Sequence, residues 1–440
     1  MKNQEQAIAP KSLSKRDSIV SMSIIGLLFF IFGFVTWINA ILIPYFKIAC
    51  ELNNFESYLV AFAFYIAYLV MSLPAAYILK RIGFKRGMML GFLAMALGAA
   101  LFVPAGFGRI YPLFLTGLFT LGIGLAILQT AANPYITILG DKERAAQRFS
   151  IMGICNKLAG IIAPLLFAAV ILKPTDNELF EQINLMQGSE KAEALDALIA
   201  RVIVPYAVVA VVLLVLGIFV RYSPLPEIDT DTEDATLLQT NKDKKSILDF
   251  PHLVLGSVAI FFHVGSQVIA VDSIINYVAD TGVPFMEAKV FPSYTLTATI
   301  VGYLLGITFI PKLLSQLTAL KICTVLGLIF SFLVIFLHGE VSVLGHSTDI
   351  SVWFIVLLGF ANSMIWAGVW PLALDNLGRF LKVGASLLIM ALCGNAIMPL
   401  LYGYFADMYS LKAAYWVLIP CYAYLIFYAF HGYRIKKWTF

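Results

Sequence analysis

Twelve apolar runs, most of them about 20 residues or longer and separated by short polar breaks, leave this chain few ways to fold. About 20 apolar residues in a helix cross the roughly 30 Å hydrocarbon core of a bilayer. Inside that core each backbone N–H and C=O needs a partner, which a helix supplies within its own segment. The runs lie near 19–46, 57–79, 87–106, 110–138, 149–172, 200–221, 251–279, 289–311, 319–338, 351–374, 383–406 and 413–432. They predict an all-α membrane protein of 12 transmembrane helices. Only 13% of residues are charged, against about 25% in soluble domains.

The polar start, Met1 to Arg16, leads into a run too long for a cleaved signal peptide, so that run is expected to stay as helix 1. Loops on one side carry Lys80, Arg81, Lys85 and Arg86, then Lys142, Arg144 and Arg148, then Lys312 and Lys321, then Arg379 and Lys382. Loops on the other side hold little beyond Lys47, Arg109, Lys289 and Lys412. The positive-inside rule then places both termini in the cytoplasm, in agreement with an even helix count. The net charge of +4 mostly reflects these loops and does not suggest nucleic acid. The five cysteines, Cys50, Cys155, Cys323, Cys393 and Cys421, are scattered, and read as small apolar residues rather than as metal ligands or disulfides.

Two breaks are longer than the rest. One, near 174–199, contains the helix-like Ser189-Glu-Lys-Ala-Glu-Ala-Leu-Asp-Ala-Leu198. The other, 223–250, runs Asp229-Thr-Asp-Thr-Glu-Asp234 and Lys242-Asp-Lys-Lys245, the composition of a solvated linker. It divides the chain into a six-helix half, 1–222, and a second six-helix half, 251–440. Internal matches fit that division. Leu121-Gly-Ile-Gly of helix 4 pairs with Leu358-Gly-Phe-Ala of helix 10, which sets Gly122 against Gly359, Pro134 against Pro371 and Gln129 against Trp366. Phe29-Phe-Ile-Phe-Gly33 of helix 1 pairs with Phe261-Phe-His-Val-Gly265 of helix 7, which sets Ala40 against Asp272. Helices 5 and 11 share Ile151-Met-Gly-Ile-Cys155 and Ile389-Met-Ala-Leu-Cys393. Repeated halves of this kind hold their solute between them near the bilayer midplane.

Asp272 is the residue that most needs a reason. A carboxylate inside a span costs roughly 2.5–3.5 kcal/mol on insertion scales, and such groups face a wet cavity or a partner. Lys157, about nine residues past Arg148 and so about 13 Å into the membrane, is the second ionisable group, as counter-charge or hydroxyl donor. His263 could shuttle a proton. Asp375 follows Pro371, close to Arg379 and Lys382, and reads as an inner-gate salt bridge. No H-E-x-x-H, G-x-S-x-G or phosphate loop is present, which argues against an enzyme.

Helix 1 ends Asn39-Ala-Ile-Leu-Ile-Pro-Tyr45, helix 2 contains Phe62-Ala-Phe-Tyr-Ile-Ala-Tyr68 and Ser72-Leu-Pro-Ala75, and helix 4 ends Gln129-Thr-Ala-Ala-Asn-Pro-Tyr135. The turn Lys80-Arg-Ile-Gly-Phe-Lys-Arg86 is similar to the signature loop of the major facilitator superfamily, with Lys80 where that signature has aspartate. Across all twelve helices the chain resembles the fucose permease family of that superfamily, bacterial sugar:cation symporters that include glucose/galactose and fucose transporters. The resemblance implies the major facilitator fold and hexose import by symport through alternating access. It also implies a monomer in the bacterial inner membrane, with no cofactor beyond a coupling H+ or Na+. The protonatable pair of the fucose permease, an aspartate in helix 1 and a glutamate in helix 4, corresponds to Ala40 and Gln129, which cannot carry protons. Glutamine at the helix 4 position resembles the glucose/galactose members. The acid stands instead at the repeat-related place, Asp272, where Gln267 and Ser273 could add oxygens for sodium. Sugar hydroxyls need planar amides and the ring needs an aromatic face. Asn39, Gln129, Asn133, Asn156, Gln267, Asn276, Asn362 and Asn395 are expected to supply the first, and Trp37, Trp366 and Tyr294 the second. A uniporter or exporter of the same fold, without ion coupling, is the alternative.

Overall fold

The computed structural model describes residues 15–138, 145–225, 244–310 and 313–438. Among the described residues twelve helices are long and apolar enough to cross a membrane. They are α1 (Ile19–Ala49), α2 (Asn54–Ile82), α3 (Phe84–Gly108), α4 (Tyr111–Ala132), α5 (Ile151–Ile171), α6 (Gly188–Tyr222), α7 (Pro251–Asp272), α8 (Phe285–Phe309), α9 (Gln316–Phe336), α10 (Ile350–Ala373), α11 (Val383–Met408) and α12 (Ala413–Phe430). The acidic and basic run of the 223–250 linker falls mostly outside the described residues.

Two of the breaks between spans are themselves ordered. The 174–199 segment holds a helix, Asp176–Leu185, and a second, Gly188–Ala200, that continues into Ile203–Tyr222. The apolar part of α6 is Ile203–Tyr222, close to the expected 200–221, and Gly188–Ala200 is a separate polar helix with Leu195, Leu198 and Ile199 on its buried face. Between α9 and α10 the chain forms an antiparallel hairpin, β1 (Glu340–Val343) and β2 (His346–Asp349). Its turn takes positive φ at both Leu344 (53°) and Gly345 (84°), the two-residue geometry that matches strand twist.

The packing partners recur six spans later. In the first six spans α1 lies on α5 and α2 on α4; in the last six α7 lies on α11 and α8 on α10. The two sets meet where α2 touches α11, α5 touches α8 and α1 touches α7. A Cβ on Gly122 would fall 2.0 Å from the Phe64 carbonyl oxygen of α2, and one on Gly359 would fall 2.0 Å from that of Thr295 in α8. Small residues let helix backbones approach this closely.

Several spans are broken where polar residues gather. The first span is interrupted at Ile38, between Trp37 and Asn39. The α7 helix ends at Asp272, and the chain resumes as Ile274–Asp280 after Ser273. Interrupted helices free backbone groups for a solute or ion, and they are tolerated at membrane depth only where protein or a cavity surrounds them.

Candidate functional site

Asp272 is completely buried, and neither of its carboxylate oxygens has a hydrogen-bond partner among the described residues. Its neighbours are neutral. The Tyr58 and Tyr65 hydroxyls of α2 lie within electrostatic reach of the carboxylate. Asn276 stands beside Tyr58, and Asn39 of α1 beside Tyr65. Each of these four also keeps an unmet polar atom, the two hydroxyls and the two Nδ2 amides, so the contacts fall short of hydrogen-bond geometry. Native interiors leave only a few such atoms per 100 residues, and each costs about 1–3 kcal/mol. Asp272 and these four residues thus gather their unmet polar atoms in one buried region between α1, α2 and the end of α7.

Lys157 of α5 is held elsewhere. Its Nζ donates to Gln267 Oε1 of α7 at 3.2 Å and lies 4.1 Å from the centre of the Trp37 ring. The Trp37 Nε1 donates to Asn156 Oδ1 at 3.2 Å, which fixes the indole under the ammonium. Gly160 makes room for that ring, since a Cβ there would lie 2.5 Å from it. Trp37, Ala40, Val271 and Leu296 form one small apolar cluster around the arrangement. A desolvated cation on an aromatic face gains about 2 kcal/mol, and a hydrogen bond from a charged group about 1.5–3 kcal/mol. The Lys157–Gln267 bond also joins the first six spans to the last six.

The two intramembrane charges thus have separate surroundings, and Lys157 makes no ion pair with Asp272. The oxygens that Gln267 and Ser273 were expected to lend Asp272 point away. Gln267 is occupied by Lys157, and Ser273 Oγ donates to Ile269 O at 2.6 Å and meets Tyr415 OH at 2.7 Å. At 3.6 residues per turn, a neighbour one place along a helix is rotated by about 100°.

His263 is buried beside Asn362, and within electrostatic reach of Lys157. The Asn362 Oδ1 accepts from Tyr422 OH at 3.1 Å. Asn395 is buried with its Oδ1 unpartnered, and Gln129 lies beside Tyr68. Trp366 stacks on Trp370, ring centres 5.0 Å apart at 24°. The side chain of Asn133 falls outside the described residues. Tyr294, expected as a platform for a sugar ring, is engaged by the hairpin, its hydroxyl 3.0 Å from His346 Nε2. The same imidazole meets Glu287 at 2.5 Å through Nδ1, so the start of α8 is a docking point for β2.

Of two functional candidates that the sequence does not assign to the site, Tyr65 lies in the Phe62–Tyr68 stretch of the resemblance and Tyr58 carries no mark at all. They are seven residues apart and share one face of α2, but so do many packing aromatics.

At the ends of the spans the polar contacts are of another kind. Asp375 pairs with Lys436, beyond α12, at 2.8 Å, and that ammonium holds the carboxyl below its usual pKa. Its partner is therefore the chain's own tail, whereas the side chains of Arg379 and Lys382 lie outside the described residues. At the opposite end of the bundle Asp407 of α11 accepts from Asn54 N at 2.9 Å, Asn54 Nδ2 at 2.7 Å and Phe55 N at 2.7 Å. A carboxylate on the unsatisfied N–H groups of a helix start gains about 1 kcal/mol in exposed settings. Asp407→Ala is expected to raise the share of molecules open at this end about fivefold. Distances between spin labels on the first turn of α2 and the last turn of α11 would report it, and an unchanged distribution would remove Asp407 from the closure.

The sequence profile of the Major Facilitator Superfamily matches residues 25–391. A glucose/galactose transporter of Brucella abortus is 35% identical over 422 residues, 95% of each chain. An L-fucose-proton symporter of Escherichia coli is 27% identical over 439 residues, 99% of this chain and 97% of that one. Among solved structures, the transporter FucP in its outward conformation superposes with a TM-score of 0.69 at 24% identity, over 96% of this chain and 100% of that one. With twelve spans, recurring packing and these matches, the chain belongs to the Major Facilitator Superfamily.

Proposed function

We propose that the protein imports a hexose of the glucose/galactose class together with a cation, H+ or Na+, that binds at Asp272. The observation that carries this reading is the completely buried, unpaired Asp272 among Tyr58, Tyr65, Asn39 and Asn276. A bare carboxylate costs several kcal/mol in such surroundings; a proton or a sodium ion removes that cost. The names of the relatives, a glucose/galactose transporter and an L-fucose-proton symporter, agree with a sugar and with ion coupling.

In this mechanism the cation neutralises Asp272, and the helices can then close around it. Lys157 is poised to donate to sugar hydroxyls, which compete with Gln267 for its ammonium, while Trp37 offers a ring face beside it. The six-helix halves, 1–222 and 251–440, rock about the loaded site, with residues 223–250 linking them in the cytoplasm and both termini on that side. The cytoplasm then receives sugar and cation.

The test is uptake of labelled glucose and galactose into proteoliposomes under an imposed proton gradient and, separately, a sodium gradient. Accumulation driven by one of them identifies the cation. Equal uptake with and without either gradient would make the protein a uniporter and refute the coupling.

A further inference from the structure

A second polar feature lies directly beyond Asp272. A cleft of about 740 Å³ opens between the end of α1, the helix Ile274–Asp280 that follows α7 and the helix Asp176–Leu185, with Lys47, Glu51, Asn276 and Asp280 among its walls. Asp272, Asn276 and Asp280 are spaced by four residues, the first at the end of α7 and the other two about 6 Å apart along the helix Ile274–Asp280. Burial changes steadily along them. Asp272 is completely enclosed, Asn276 is half-buried, and Asp280 is exposed. Asn276 belongs to both environments, because it lines the cleft and stands beside Tyr58, whose hydroxyl reaches toward Asp272. Its Nδ2 is buried and unpartnered, and so are both Asp272 oxygens and the Tyr58 hydroxyl.

We propose that this cleft is the outer station of the coupling cation, and that Asn276 is the plug separating it from Asp272. This rests on Asp272 being the coupling site. Asp280 draws the cation into the cleft, opposed by Lys47, which lies within its electrostatic reach. The amide of Asn276 blocks the remaining turn of helix while this end of the bundle is closed. The Asp407 contacts hold the neighbouring ends of α2 and α11 together in the same closed arrangement. When the end opens, the amide moves aside and the cation passes from Asp280 to Asp272 along Tyr58. A plug is required here because a carboxylate reachable from both sides would conduct the ion without sugar.

The experiment uses the full-length protein in proteoliposomes and the cation that drives uptake in wild type. Asn276→Gly is expected to let that cation in without sugar, at least fivefold faster than wild type, and to lower sugar accumulation correspondingly. Adding Asp272→Asn to it should abolish the leak. A leak that survives in the double variant, or no leak in a well-folded Asn276→Gly, overturns the proposal. Asp280→Lys, at an exposed position, decides the matter if the glycine variant fails to fold. It should weaken the apparent affinity for the external cation about tenfold at low ionic strength and leave sugar exchange unchanged; an unaltered affinity overturns the outer station. If Asp272→Asn alone still accumulates sugar, Asp272 is not the coupling site, and that outcome is separate from normal coupling with an inert Asn276.

Discussion

Asp272→Asn is expected to abolish accumulation of sugar against a gradient while leaving exchange of sugar for sugar within about threefold of wild type. The amide has nearly the shape of the carboxylate and none of its charge, so it stands in for the cation-loaded acid. In the wild type, closing the helices over a bare Asp272 strips water from an unpaired carboxylate, at several kcal/mol. Each 1.4 kcal/mol is a factor of ten, so the unloaded form with sugar bound would cross about a hundredfold to a thousandfold less often than the loaded one. That difference is the coupling. With one cation per sugar, a tenfold cation gradient sustains about tenfold accumulation of sugar. The asparagine variant crosses equally well with and without the cation, and its accumulation should fall to unity under any gradient. Steady-state uptake and exchange in the same proteoliposomes measure both quantities. Retained accumulation would refute the assignment. Loss of both activities in a well-folded variant would make Asp272 a structural residue instead.

The surroundings of this residue show what a sequence can and cannot reveal. The spans were readable because about 20 apolar residues have few other uses, and the matched Gly122 and Gly359 do occupy matched contacts on Phe64 and Thr295. The polar residues inside the spans were readable as exceptions, since Asp272, Lys157 and His263 stand out in apolar runs. Their pairing was not. Gln267 and Asp272 are five places apart on one helix, so they point in different directions, and only the neighbouring helices decide that Gln267 meets Lys157. The roles of Tyr58 and Tyr65 were hidden for a related reason. A tyrosine packs like phenylalanine, and the destination of its hydroxyl depends on α7, more than 200 residues away. The hairpin at 340–349 was missed because its strands are short and polar, and its register is set by the turn at Leu344 and Gly345.

Lys157→Met should raise the apparent KM for sugar about a hundredfold while leaving cation coupling in place. Methionine keeps much of the length and the apolar stem of lysine, so the cluster of Trp37, Ala40, Val271 and Leu296 can stay packed. The charged donor is lost. In the sugar-free protein that donor is shared between Gln267 Oε1 and the Trp37 ring, and a hydroxyl must displace the first while retaining the second. A hydrogen bond from a charged group is worth about 1.5–3 kcal/mol, which corresponds to roughly ten- to 150-fold in affinity. Gln267→Ala should act in the opposite direction, lowering KM, because it removes the competing acceptor and leaves the ammonium to the sugar. Opposite signs for two residues that touch each other would be hard to obtain from loss of packing alone. A KM for Lys157→Met within threefold of wild type, with thermal stability clearly reduced, would place Lys157 in the architecture of the bundle and leave the sugar to be held by other residues.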